Sequence, residues 1–179
     1  MPARSSTRGS FSKVLFPALR LGYLVLPPNL VERVAAIQSL TARHSPVLEQ
    51  FVLSEFIREG HFQTHLRRMR QIYAERLAVL MEQARSRLSG VLEISPVEAG
   101  LQTVGWLSHG ISAESAAMAA ARRQIDLTPL AEYSYSPATR KVASSALQLG
   151  FAAIPPAEIR RGIRELAIAL ESVRKSREK

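Results

Sequence analysis

The chain has 179 residues, enough for one full domain or two small ones, and its 46% hydrophobic and 22% charged content excludes a fibre or a disordered chain. It contains no cysteine, which excludes disulfides and thiolate metal sites, and no apolar run approaches the roughly 18 residues of a membrane span. The net charge of +9 could draw the chain to nucleic acid or acidic membranes, but its clusters HLRRMR (65–70), EIRRGIRE (158–165) and RKSREK (174–179) lack interleaved aromatics and read as solvated helix faces.

The first eight residues, MPARSSTR, have the Arg/Ser-rich, acid-free composition of a transit peptide but are too short to be one, so the chain reads as a soluble cytoplasmic protein. GSFSKVLFPALRLGYL (9–24) then sets a single lysine, Lys13, among Phe11, Val14, Leu15 and Phe16. Two readings stand: a turn leading into a strand with Lys13 in water, or a lysine held in a site for chemistry. LGYLVL (21–26) predicts a short buried strand ended by Pro27-Pro28, and Pro28 suits the first turn of a helix to about Leu40. A second helix follows, with Ser45 as N-cap, Pro46 at the first helical position and Gly60 just past its end.

Residues 61–88 carry the clearest helical rhythm. Phe62, Leu66, Met69, Tyr73, Leu77, Leu80, Ala84 and Leu88 form one stripe, and the arginines at 67, 68, 70 and 76 lie off it. About 28 residues at 1.5 Å each span roughly 40 Å, a length suited to connecting two bodies. Beyond Ser89-Gly90, VLEISP and LQTVGWL predict strands, SAESAAMAAARRQ a helix capped by Ser112, IDLTPL a strand stopped by Pro129, and ALQLGFAAI a further strand. A closing helix carries Ile159, Ile163, Leu166, Leu170 and Val173 on one face. Strands alternating with helices indicate an α/β layer of about 90 residues.

GSFSKVLFPALRLGYLVLP resembles the lysine segment of fold-type I, pyridoxal-phosphate-dependent aminotransferases of class I/II. Within that family it is most similar to the aminotransferase-like domain of MocR-type GntR regulators, where this domain follows a winged helix-turn-helix. The similarity continues through RHSPVLEQFVLSEFIREGHFQTHLRRMRQIYAERL, VEAGLQTVGWL, IDLTPLAEYSY and LQLGFAAIPPAEIRRGIREL, so it runs from Gly9 to about Leu170.

The resemblance implies that Lys13 forms a Schiff base with the aldehyde of pyridoxal 5'-phosphate, as an unprotonated amine favoured by partial burial near another cation. Displaced by substrate, the free amine would carry the proton between substrate and cofactor. Arg20 would grip the phosphate with its planar fork and the Ser10 hydroxyl would donate to it, while Gly9 and Gly22 would allow close backbone approach. The implied fold is α/β, the C-terminal portion of the PLP-transferase (aspartate aminotransferase-like) fold. In it, residues 1–60 are a remnant of the large PLP-binding domain, 61–89 a long connecting helix and 90–179 a small C-terminal domain.

Two departures bear on function. The strand reading LQLGF commonly carries, in amino-acid aminotransferases, an arginine that pairs with the substrate carboxylate; this chain has Gln148, and a neutral amide does not replace a bidentate guanidinium. Arg140 or Lys141 from the preceding loop are the candidate substitutes. Second, roughly half of the family's PLP domain precedes the lysine, with the ring-stacking aromatic, the aspartate on the pyridine nitrogen and the glycine-rich phosphate turn. Here only MPARSSTR does, so a truncated C-terminal fragment is expected, with LGYLVL exposed where it should be buried and weak cofactor binding by the chain alone.

The family implies an amino-acid or amine substrate, a keto-acid acceptor, a homodimer, and DNA contact only through a helix-turn-helix domain absent here. Two functions remain, a transaminase or the ligand-sensing effector domain of a regulator, with an inactive remnant as a third. Tyr133 and Tyr135 are candidates near the site mouth, and Trp106 is expected in the core. His44, His61, His65 and His109 lack the grouping with carboxylates that a metal needs; His61 and His65 read as a charged helix start. SFSK also matches Ser-x-x-Lys of penicillin-recognising enzymes, but without the companion Lys-Thr-Gly it is a chance match.

Overall fold

The structure is a computed structural model that describes residues 6–42, 46–95, 97 and 100–177. The chain divides into two compact units, Met1–Arg68 and Met69–Lys179, with the division inside one long helix.

The first unit begins with a hairpin that the sequence did not announce. Strand β1 (Thr7–Ser10) pairs antiparallel with β2 (Gly22–Val25), Thr7 opposite Val25 and Ser10 opposite Gly22. Helices α1 (Pro28–Ala42) and α2 (Val47–Arg58) follow, and α3 (His61–Arg87) starts after Gly60, whose φ of 80° suits the residue that ends a helix. Ser45, expected as the N-cap of α2, and His44 lie outside the described residues; Pro46 occupies the cap position, without a side-chain bond.

Leu19, Leu21 and Leu53 form a small core in this unit, with Phe11 and Leu15 packed against it. The expected burial of LGYLVL is not found there: all four residues of β2 are exposed, and α1 has no buried residue. Only Leu21, just ahead of the strand, reaches the core. Within this unit β2 pairs with a four-residue partner, too little to cover either face.

The second unit is an antiparallel sheet of order β3-β4-β6-β5: β3 (Leu92–Ile94), β4 (Gln102–Leu107), β6 (Ala146–Gly150) and β5 (Thr128–Pro129). Helix α4 (Ala113–Ala121) joins β4 to β5, α5 (Pro137–Val142) precedes β6, and α6 (Pro156–Arg177) closes the chain. Ser112 caps α4 as expected, its hydroxyl oxygen accepting from the Ser115 amide at 3.2 Å. Alternation along the strands sends Leu92, Leu107, Leu147 and Leu149 into one core with Leu80, Ala84 and Leu88 of the α3 stripe. Ala116 and Ala120 of α4 and Ile159, Ile163, Leu166 and Leu170 of α6 complete it.

The opposite face of the sheet stays accessible and carries Gln102, Val104, Trp106 and Gln148. Trp106 is therefore not a core residue as expected but 38% exposed, its indole donating to Ser95 Oγ at 3.1 Å. In β4 it alternates with the buried Gly105 and Leu107, so strand period and not hydrophobicity decides its side.

Candidate active site

The β1–β2 hairpin carries Ser10, Lys13 and Arg20 on one connection between its strands. Its ladder ends at Ser10–Gly22, and the Phe11 amide extends it by one bond to the Leu21 carbonyl at 3.1 Å. Residues 11–21 thus leave and return at one point. Gly22 is required for strand contact, since a Cβ there would lie 2.8 Å from the Gly9 carbonyl oxygen; a Cβ on Gly9 would instead meet the tip of the exposed Tyr23 ring at 2.4 Å, a side chain that can turn away. The close approach expected at these glycines is therefore present at Gly22, but between the two strands.

Ser10 sits at the loop's entry, where its Oγ accepts the Ser12 amide at 3.1 Å. That bond uses an oxygen lone pair and leaves the hydroxyl hydrogen to donate elsewhere. The Leu15 amide bonds to the Phe11 carbonyl at 2.8 Å, closing a single turn with Lys13 in its middle. Lys13 is exposed, where a partly buried amine is expected. Past Val14, Pro17–Leu19 form a short 3-10 turn, and Arg20 follows in the left-handed region at φ 53°, its amide bonded to the Pro17 carbonyl. Leu19 and Leu21, each 8% exposed, anchor Arg20 on both sides while its own side chain is exposed. Neither Lys13 nor Arg20 has an acidic partner among the described residues.

Arg20 lines a cleft of about 460 Å³ in this unit with Phe11, Leu21, Gly22, Gln50 and Leu53, but Ser10 and Lys13 are not among its walls. By residue type, a guanidinium and a hydroxyl can donate to an anion and an amine can attack a carbonyl carbon; Lys13 and Arg20 have no side-chain hydrogen bond among the described residues.

Two further candidates, Gln148 and Tyr133, belong to the second unit. Gln148 on β6 faces the accessible side of the sheet, opposite Val104 of β4 and Thr128 of β5. Its Oε1 accepts from the Tyr133 hydroxyl at 2.8 Å, and its Nε2 donates to Gln102 Oε1. Each end of the neutral amide thus makes one hydrogen bond. Arg140 on α5 donates weakly to the Ser134 carbonyl at 3.5 Å, and neither it nor Lys141 bonds to Gln148 among the described residues. Tyr135 is fully exposed, with no partner among the described residues.

The histidines divide. His61 Nε2 stands 3.2 Å from Glu59 Oε2, at the first turn of α3. His65 does not fit the expected charged helix start: its Nε2 lies 2.9 Å from the Val14 carbonyl oxygen, one residue beyond Lys13. Periodicity marks Phe62 as facing inward, but nothing in the sequence signals that His65 reaches a carbonyl 51 positions earlier. Among the described residues no three His, Asp or Glu side chains are grouped as a metal site, and no helix is long and apolar enough to cross a membrane.

No family model matches the chain. It is 38% identical over 168 residues to a Rhizobium meliloti protein described as "Probable rhizopine catabolism regulatory protein MocR", covering 92% of this chain and 33% of that protein. It is 26% identical over 165 residues to the 2-aminoadipate transaminase of Thermus thermophilus, covering 92% and 40%. Among solved structures, LysN, the α-aminoadipate aminotransferase of Thermus thermophilus, complexed with N-(5'-phosphopyridoxyl)-L-leucine, superposes with a TM-score of 0.82. It is 25% identical, over 94% of this chain and 42% of its own. The chain spans about a third of the length of the first relative and two fifths of the others. The chain is thus similar to MocR regulators and to aminotransferases, and its fold is that of the C-terminal portion of the PLP-dependent aminotransferases.

Proposed function

We propose that this chain contributes the lysine segment and C-terminal unit of a PLP-dependent, aminotransferase-like protein. The observation that carries this reading is the hairpin loop: within eleven residues (10–20) it presents an amine and a guanidinium with no acidic partner among the described residues, and a hydroxyl whose oxygen accepts the Ser12 amide and whose hydrogen is left to donate. Pyridoxal phosphate would supply an aldehyde and an electron-accepting ring. Arg20 and Ser10 would hold its phosphate, and Lys13 Nζ would bond to the aldehyde carbon and, once displaced, take up and return the substrate proton. Residues 1–60 would belong to a large cofactor-binding domain and 90–179 to a small domain joined by α3. Substrates would be an amino acid or amine and a keto acid, handled by a cytoplasmic homodimer.

A second reading, a ligand-sensing effector domain in a regulator, is favoured by one observation. Gln148 is neutral and both ends of its amide are engaged, so the cation expected against a substrate carboxylate is missing from that strand. The resemblance of the first relative to a regulator supports it further.

Absorbance spectra of the purified chain with added pyridoxal phosphate, beside Lys13→Ala, test both readings. A new near-visible band, absent in Lys13→Ala, and a borohydride-fixed adduct on Lys13 are expected. Release of a keto acid on adding an amino donor favours the enzyme; a changed band without release favours the sensor. Identical spectra from the two proteins, with no adduct, overturn the assignment of Lys13.

A further inference from the structure

The turn that carries Lys13 is gripped from a distant part of the sequence. Its first residue, Phe11, packs its ring edge-on against Phe62 at 6.0 Å between centroids, and lies 5.9 Å from the Tyr23 ring on β2. Its fourth residue, Val14, offers its carbonyl to His65 at 2.9 Å. Phe62 and His65 are three residues apart on α3, so they project from the same side of the helix and reach the two ends of one turn. The turn's own bonds, Leu15 amide to Phe11 carbonyl and Ser12 amide to Ser10 Oγ, close it from within.

We propose that the first turn of α3 is a clamp that fixes the backbone presenting Lys13, with His65 as its positioning residue. This rests on the reading of Lys13 as the cofactor lysine. A carbonyl only accepts, so Nε2 of His65 must carry the hydrogen, whichever form the other nitrogen takes. The bond immobilises the Val14–Leu15 peptide, one residue past Lys13, without engaging the amine. A lysine side chain has four rotatable bonds, so a fixed backbone is what confines the reach of its amine. Phe62 holds the opposite end by ring contact, which resists sliding of the turn along the helix.

Amide hydrogen exchange across residues 11–15 of the full chain tests the clamp directly. The variants are His65→Ala, His65→Gln, which keeps an N–H near the same place, and Gln63→Ala on exposed surface as control. Loss of one such bond should speed exchange of Ser12 to Leu15 about fivefold in His65→Ala. His65→Gln should restore most of the protection, and Gln63→Ala should match the parent chain. Borohydride trapping of pyridoxal phosphate at Lys13 should slow by a similar factor in His65→Ala alone. Equal exchange in His65→Ala and the parent overturns the clamp, even if Lys13 traps cofactor normally. A real exchange difference with no trapping at Lys13 in the parent overturns instead the reading of Lys13, and with it the functional role given to His65. Circular dichroism that matches the parent would show that α3 is intact in each variant.

Discussion

Gly22→Ala should loosen the hairpin that carries Ser10, Lys13 and Arg20. Its added Cβ would stand 2.8 Å from the Gly9 carbonyl oxygen, against the 3.4 Å at which ordinary contact begins. The obstacle is backbone, so no rotamer change relieves it; the strands must part beside the Phe11–Leu21 hydrogen bond. Overpacking of this kind costs about 1–3 kcal/mol. The residue's φ is not in the left-handed region, so the substitution also recovers about 0.4–1 kcal/mol from the stiffer unfolded chain. A net loss of about 1–2 kcal/mol raises local opening roughly 5- to 30-fold. Hydrogen exchange of the amides from Gly9 to Tyr23 reads this change. Gly150→Ala is the comparison, because a Cβ there meets nothing within 4 Å and should be neutral or slightly stabilising. Unchanged exchange in Gly22→Ala, or equal effects at both glycines, would refute the steric account.

Gly162→Ala in α6 should stabilise the second unit by about 0.5–1 kcal/mol, since helical glycine is penalised and the new methyl meets Ile125 at an ordinary 3.7 Å; thermal melts check it. Leu166→Ala, at a side chain 2% exposed in the main core, should cost about 2–5 kcal/mol, read as a lower urea midpoint by Trp106 fluorescence. The hydrogen bond and charge of Lys175 hold the Glu171 carboxyl below its usual pKa. Its support for the end of α6 is therefore complete above the ordinary carboxylate range and fades as pH falls through the depressed value. Protection factors at residues 168–175, corrected for the intrinsic pH dependence of exchange, should fall with acidification, and Glu171→Gln should flatten that dependence.

Much of this architecture is legible in local pattern. The α3 stripe, the Ser112 cap and the single apolar face of α6 follow from helical spacing and capping chemistry, and they survive because core packing agrees with them. The lysine segment is recognisable because the residue types that the resemblance assigns to it, Ser10, Lys13 and Arg20, fall within eleven residues of sequence. Long-range placement is another matter. Thr7–Ser10 has no strand character of its own and becomes β1 only because β2 offers a ladder. Trp106 faces outward because the register of β4 sets its side.

The sequence by itself determined where the long helices run, though not the short α5, that this chain has no thiol, and which amine is the chemical candidate. Tertiary structure alone decided that Gly22 serves strand contact, that Gln148 bonds to Tyr133 and Gln102, and that His65 reaches the Val14 carbonyl. The physical reason is range. Capping, periodicity and turn chemistry act within a few residues, whereas a hydrogen bond across 51 positions exists only once the chain has brought its ends together.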